Sequence, residues 1–285
     1  MQFIKWFGSN YTGSLSRGIL IIGLCMRPLF GLADIYQWQD NDGHQHFSDR
    51  SVAQAKKLTI KPGYGFYQVT KVFDGDTVLL SDGRKIRLLG INAPEIEHRN
   101  KMADAGGDEA KQWLIKKLQN NKVRLLTDSE KTDKYGRTLA HLFTESHEHI
   151  NLQLVALGLA QVNIHPPNLL FTDLLLQAQR KAEANQLGLW RHADYAVNTV
   201  GSLAVQKHRS WVRIAGIVIA IKQTRKFAYL YFSGPFEVRI ERQWLALFPD
   251  LKTYIGKSVE ARGWINKRKD RFSMLAKHPS ALIIR

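Results

Sequence analysis

From residue 67 onward, apolar and polar positions alternate in short bursts. Such a period-2 pattern predicts half-buried strands. Val69 to Leu80 forms strand segments around Asp74-Gly75, Ser81-Asp82-Gly83 is a tight turn, and Lys85 to Ile91 is the return strand. Ala110, Trp113, Leu114 and Leu118 then fall at helical spacing, which predicts an amphipathic helix over 107–119. Lys122–Thr127 and Thr138–Thr144 read as strands around the polar loop 128–137. Two helices follow, Ile150–Leu157 stopping at Gly158 and Leu169–Gln186 ending near Gly188. Five short strands with helices inserted and appended predict a small closed barrel of the oligonucleotide-binding kind.

The pattern repeats without long helices in the last part of the chain. Strands are predicted near 211–222, 227–232, 236–240, 257–265 and 271–276, with a short helix at 242–247. The fold class is therefore α+β built on β-barrels: a barrel with helices over 67–192, a polar linker at 193–208, and a second, smaller barrel over 209–285. Residues 34–66 precede the first barrel. There, Asn41-Asp42-Gly43 marks a turn between alternating segments, so 34–50 is a short hairpin and 51–66 a linker. The hairpin resembles a small module, IYxWxDxxGxxHFSD, found behind signal peptides in bacterial envelope proteins. His44 and His46 lie two apart but have no third ligand nearby, so they are read as exposed strand histidines.

Residues 1–33 read as a secretory signal: Lys5 and Arg17 without an acid, the apolar run Ile19 to Cys25, then Gly31-Leu32-Ala33. Cleavage after Ala33 would leave Asp34 first and remove Cys25, the single cysteine. The expected location is periplasmic or secreted, the alternative a membrane anchor through an uncleaved N-terminus. No apolar run reaches the ~18 residues of a membrane span.

Charge narrows the choice of partner. The 285 residues carry 41 Lys+Arg against 25 Asp+Glu, a net +16. The segment 209–285 holds 16 of the basic residues and only 5 acids. A polyanionic partner follows: nucleic acid, anionic lipid or acidic glycan. One cysteine excludes a disulfide framework and a zinc ribbon. Oligomeric state is not legible.

Three clusters in the central unit carry candidate chemistry. They are Phe73-Asp74-Gly75-Asp76-Thr77, Arg87-Leu88-Leu89-Gly90-Ile91-Asn92-Ala93-Pro94-Glu95, and Thr132-Asp133-Lys134-Tyr135-Gly136-Arg137. Each alone is an ordinary turn, element end or charged loop. Together they offer hard oxygen ligands, which suit Ca²⁺ or Mg²⁺ rather than Zn²⁺. Arg87 and Arg137 add two guanidinium forks that can clamp a phosphate. A divalent ion, two arginines and a spare carboxylate are the parts that cleave a phosphodiester.

In this order, and with Gly107-Asp108-Glu109-Ala110 and Gly188-Leu189-Trp190, the clusters resemble the staphylococcal nuclease (thermonuclease) family from Tyr67 to Trp190. The resemblance implies a Ca²⁺-dependent phosphodiesterase acting on DNA and RNA with little sequence specificity, cutting the 5′ P–O bond and leaving 3′-phosphates. It implies Asp76 as a direct metal ligand and the Ala93 carbonyl as another. Glu95 is implied as the general base, Arg87 and Arg137 as phosphate and leaving-group contacts, Lys134 and Tyr135 as holders of the other substrate phosphate, and Asp74 as support behind Asp76. Two departures stand out. Asn92 occupies the place of the family's second acidic ligand, and Asn163-Ile164-His165-Pro166 replaces its tyrosine pair.

The last domain places Trp211, Phe227, Tyr229, Tyr231 and Phe232 near Arg225-Lys226, with Lys267-Arg268-Lys269 later. Aromatics interleaved with cations suit single-stranded nucleic acid. Tyr229 and Tyr231 share one strand face and Phe232 takes the other, so one set belongs to the core. The Val259–Trp264 stretch and His278-Pro279 resemble, more loosely, a barrel appended to some bacterial thermonuclease-like proteins. Two other functional readings stand beside the enzyme: a noncatalytic nucleic-acid binder that keeps the nuclease fold, and a structural envelope protein whose basic tail holds lipid or another polyanion.

Overall fold

The computed structural model describes residues 35–39, 45–48, 55–58, 65–97, 104–205, 211–268 and 270–285. The signal segment 1–33, the hairpin turn at 41–43, His44 and Lys269 lie outside the described residues. Residues 1–63 and 64–285 form two compact units. In the first, β1 (Ile35–Gln39) pairs antiparallel with β2 (Gln45–Ser48), as the hairpin pattern predicts. A third strand, β3 (Lys56–Leu58), lines the other edge of β1 inside the stretch read as linker.

The second unit opens with β4 (Tyr67–Asp74), β5 (Thr77–Leu80) and β6 (Lys85–Leu88). It continues through β7 (Ile91–Asn92), α1 (Gly107–Leu118), β8 (Lys122–Leu126) and β9 (Thr138–Thr144). α2 (Ile150–Ala156), β10 (Gln161–Val162) and α3 (Thr172–Ala184) complete it. Five strands close a barrel in the order β4-β5-β6-β9-β8, with β6 parallel to β9. Alternation fixes the inside: Val78, Leu80, Ile86, Leu88, Ala140 and Leu142 are buried. Thr77, Arg87 and Leu139 share register and hence the outer face. Ala110, Leu114 and Leu118 of α1, spaced by four, lie in the same hydrophobic core. α3 starts three residues later than its apolar pattern predicts, because Phe171 sits in the left-handed region (φ 62°).

The second barrel repeats this topology. β12 (Trp211–Gln223), β13 (Phe227–Phe232), β14 (Phe236–Glu241), β15 (Ser258–Arg268) and β16 (Arg271–Ala276) run β12-β13-β14-β16-β15 and back to β12. Here β14 is parallel to β16, matching the β6–β9 pair. β11 (Val197–Thr199) and β17 (Leu282–Ile284) extend this sheet. Both barrels are thus oligonucleotide-binding folds, the first with helices.

The stretch read as a polar linker is folded over 193–205. Tyr195 is buried beside Trp190, β11 pairs with β12, and Val200 and Leu203 enter the second core. Charges tie the barrels further. Glu183 of α3 takes both Arg262 terminal nitrogens (2.5 and 2.9 Å) and one from Arg213 (3.2 Å). Buried Glu260 accepts from Arg213, Arg262 and Arg285 at 2.6, 2.7 and 2.9 Å. Burial pushes the Glu260 carboxyl up, but these guanidiniums outweigh it and hold it below its ordinary value.

Candidate nuclease site

Two glycines bring the motifs together. A Cβ on Gly75 would lie 2.6 Å from both the Ala93 and Ala110 methyls, so the 74–76 turn packs directly under residue 93 and α1. A Cβ on Gly107 would lie 2.6 Å from the Glu95 carbonyl, so α1 begins against the 94–95 backbone. Only glycine permits either approach.

Asp76 is 5% exposed. Its Oδ1 accepts the Thr77 hydroxyl (3.0 Å), and its Oδ2 accepts the Ala93 amide (2.8 Å) and faces Arg87 Nη2 (3.0 Å). Asp74 Oδ1 accepts the Asp76 amide at 3.0 Å, which places the two carboxylates side by side. Burial raises the Asp76 pKa well above the carboxylate range; Arg87 opposes this and Asp74 adds to it. The site is a buried carboxylate short of positive charge.

Arg87 is the hub. Nη1 donates to the Leu88 and Ile91 carbonyls at 2.8 and 3.0 Å, and Nη2 donates to Asn92 Oδ1 at 3.0 Å. Asn92 Nδ2 reaches the Ala93 carbonyl at 3.1 Å. Asp76, Arg87, Asn92 and Ala93 therefore form one contact network. Glu95 lies two residues past Ala93 with its side chain half-buried, and its backbone is pinned to Asp104 at both N–H and C=O.

Arg137 lies one residue before β9 and therefore shares the outer face with Arg87, one strand over and two residues along. Its guanidinium is held by Asp133, Nε to Oδ2 at 2.7 Å. The same carboxylate caps the Tyr135 and Arg137 amides. Gly136, at φ 74°, closes this loop. Lys134 and Tyr135 project into solvent, Tyr135 71% exposed, with Lys134 Nζ 5.0 Å and Arg137 Cζ 5.5 Å from the ring. Asp133 and Thr77 belong to the motifs but had no role assigned by motif reading; they support Arg137 and Asp76, and the four-residue spacing of Asp133 and Arg137 was the available signal.

The position of the absent tyrosine pair holds His165, whose Nε2 meets Asn163 Oδ1 at 3.1 Å and Nδ1 meets Lys277 of the second barrel at 3.0 Å. The ring keeps an exposed edge, yet surrounding protein, then the Lys277 and Arg87 charges, push its pKa down to about 4.

The donor set suits a hard divalent cation in kind: one carboxylate, an amide oxygen and a backbone carbonyl meet within one network, all oxygen. Among the described residues no three His, Cys, Asp or Glu side chains form a metal cluster. Asp76 is thus the one charged ligand candidate in the set, and metal affinity would be modest.

A family model described as Staphylococcal nuclease homologue matches residues 85–192, and one described as a domain of unknown function matches 22–64. The chain is 34% identical over 179 residues to the thermonuclease of Staphylococcus intermedius, covering 62% of this chain and 97% of that protein. It is 35% identical over 127 residues to the thermonuclease of Staphylococcus hyicus, covering 44% and 75%. An uncharacterized endonuclease of Escherichia coli is 32% identical over 137 residues, covering 45% and 78%. With its barrel, its motifs and nearly the whole length of a thermonuclease matched, the chain belongs to the staphylococcal nuclease family.

Proposed function

We propose that this chain is an exported, metal-dependent nuclease that hydrolyses phosphodiester bonds of DNA or RNA with little sequence preference. The single observation that carries the reading is the Asp76–Arg87–Asn92–Ala93 network on the outer face of β6, with Arg137 on the adjacent strand. Export rests on the charge and hydropathy pattern of residues 1–33; retention by an uncleaved N-terminus is the alternative. Among the described residues no helix is long and apolar enough to cross a membrane.

Asp76, Asn92 Oδ1 and the Ala93 carbonyl would hold Ca²⁺ or another hard divalent ion, which neutralises phosphate charge when bound. Arg87 now shares its guanidinium between Asp76 and Asn92, and in the reaction that fork turns to the non-bridging phosphate oxygens. Glu95 takes a proton from the water attacking phosphorus. The P–O5′ bond breaks, and Arg137 stabilises the charge that develops on the departing oxygen. Lys134 and Tyr135 hold the neighbouring phosphate. Asp74, hydrogen-bonded to the Asp76 amide, fixes the turn that aims Asp76.

Incubating the full chain with supercoiled plasmid in Ca²⁺, in Mg²⁺ and in chelator tests this. Nicking in a divalent ion, abolished by chelator, is expected. Tight DNA binding without cutting in any divalent ion would instead establish the noncatalytic binder, which the loss of an acid at Asn92 favours. Binding to anionic vesicles but not to oligonucleotides would point to the structural envelope reading.

A further inference from the structure

The two barrels match in register as well as in strand order. In the first, Arg87 lies opposite Thr77 of β5 and Leu139 of β9. In the second, Arg239 lies opposite Tyr229 of β13 and Leu275 of β16. Arg239 therefore holds the place that Arg87 holds in the nuclease barrel. The carboxylate does not follow: the position of Asp76 falls on Ala228, fully buried. The second barrel keeps the phosphate-facing cation and lacks the metal ligand, which is the makeup of a binder.

The surface around Arg239 fits one class of ligand. Phe227, Tyr229 and Tyr231 alternate outward and stay half-exposed, while Ala228, Leu230 and Phe232 form the core. The Tyr229 and Tyr231 rings lie nearly parallel (9°) with centroids 6.1 Å apart, and Phe227 follows at 6.1 Å from Tyr229. Arg239 Cζ sits 5.7 Å from the Phe227 ring, and its Nε is buried without a hydrogen-bond partner. Exposed Lys222, Arg225 and Lys226 flank this side, against half-exposed Glu237 and Glu241 on β14. Planar rings at strand spacing beside guanidinium and ammonium groups suit unpaired bases and their phosphates. A duplex keeps its base faces stacked inside and cannot use them.

This surface continues into the nuclease site. Lys277 follows β16 directly and its Nζ reaches His165 Nδ1 at 3.0 Å. Burial first, then the Lys134 charge, lowers the Lys277 pKa, while Glu241 and Glu130 oppose them. Arg87 acts on His165 in the same way. Lys277 and Arg87 thus flank His165, with Lys134 near Lys277, as cations that a polyanion would relieve.

We propose that the outer face of β13, β14 and β16 is a single-strand track. Bases of a single-stranded nucleic acid stack on Phe227, Tyr229 and Tyr231, and its phosphates pass Arg239 and Lys277 to the Lys134 side of the nuclease site. The inference rests on the nuclease reading for its direction, not for its binding chemistry.

The test is anisotropy of a labelled 20-nucleotide oligo(dT) and of a blunt duplex of equal length, titrated with the full chain in chelator. Replacing both Tyr229 and Tyr231 by alanine lowers single-strand affinity by about tenfold or more per ring, and duplex affinity far less. The pair Tyr229→Leu and Tyr231→Leu keeps the half-buried apolar surface and still loses single-strand affinity, which separates lost stacking from unfolding. Lys277→Gln or Arg239→Gln lowers the slope of log affinity against log salt by about 0.7. Unchanged single-strand binding in the tyrosine variants, or equal loss for single strand and duplex, overturns the track. Plasmid cleavage by the unaltered chain is read separately in divalent ion. Cleavage with no variant effect sinks the track alone; a variant effect without cleavage sinks the nuclease reading alone.

Discussion

Arg87 Nη2 stands 3.0 Å from Asp76 Oδ2 and 3.0 Å from Asn92 Oδ1, so one guanidinium nitrogen bridges two of the candidate metal ligands. That bridge is also the main compensation for the buried Asp76 charge. Arg87→Met removes both the phosphate fork and the compensation. Turnover falls by about 10²-fold or more, in line with the loss of one electrostatic donor of ~3 kcal/mol. The melting midpoint falls as well, because a buried charge loses its partner. Steady-state cleavage and thermal melts measured together check this; full activity would remove Arg87 from the site.

Asn92 contributes an oxygen without a charge. Asn92→Asp restores an anion next to Asp76, so Ca²⁺ stabilises the variant at lower concentration than it stabilises the unaltered chain. Melting temperature followed against Ca²⁺ concentration reads this through ligand linkage. Identical titrations would show that residue 92 does not touch the ion.

Acid destabilises the nuclease barrel through two buried histidines, and protonation of Asp76, whose pKa burial raises to about 6, offsets only part of this. His141 and His149 meet ring to ring, Nδ1 to Nε2 at 3.1 Å, against Phe143 and Phe171. Burial lowers them to about 4 and about 3; Asp128 pulls His141 the other way, and His141 further depresses His149. The unfolded chain protonates these rings near 6.5 and the folded chain does not. Stability is therefore full above pH 6.5 and lost as pH falls from 6.5 toward 4. Melts between pH 7.5 and 4.5 check the sign, and a flat profile would contradict it.

Glu183→Gln leaves Arg262 and Arg213, each side chain only 11–12% exposed, to share Glu260 as their remaining carboxylate. The expected cost is about 1.5–3 kcal/mol, the worth of hydrogen bonds to a charged group. Chemical denaturation measures it. A cost under half a kilocalorie would mean that the network idles. Deleting 209–285 removes both arginines and uncovers Glu183 and Trp190, so truncation conflates lost binding with lost stability, and point variants are the better probe.

Much of the first barrel is legible in the sequence because apolar residues recur at alternate positions of β5 and β6, although β9 is buried along most of its length. Val78 and Leu80 point in, Thr77 and Arg87 point out, and the order of the motifs does the rest. The start of α3 is misread because Leu169 and Leu170 continue the apolar period, while the left-handed Phe171 breaks the backbone in a way that periodicity does not register. The 193–205 segment is polar enough to pass for a linker, and only its packing against β12 and Trp190 reveals Val200, Leu203 and Tyr195 as core. The barrel-to-barrel contacts were invisible for a simpler reason. Glu183 and Arg262 are 79 residues apart, and His165 and Lys277 are 112 apart. No local pattern pairs such residues.

The site shows the same division. Asp76, Arg87, Asn92 and Ala93 were legible as motif members because the glycine at 75 and the buried strand β6 leave them one place to meet. That Arg87 spans Asp76 and Asn92, and that Arg137 is parked on Asp133, are facts of side-chain geometry that spacing does not carry.

The most direct test of the central claim is the single-turnover cleavage of a labelled oligonucleotide in Ca²⁺ by the unaltered chain and by Glu95→Gln, with circular dichroism on both. The unaltered chain should cut, and the variant should cut about 10²–10⁴-fold more slowly while remaining folded. Equal rates from the two proteins, or no cutting by the unaltered chain in any divalent ion, would contradict hydrolysis at this site.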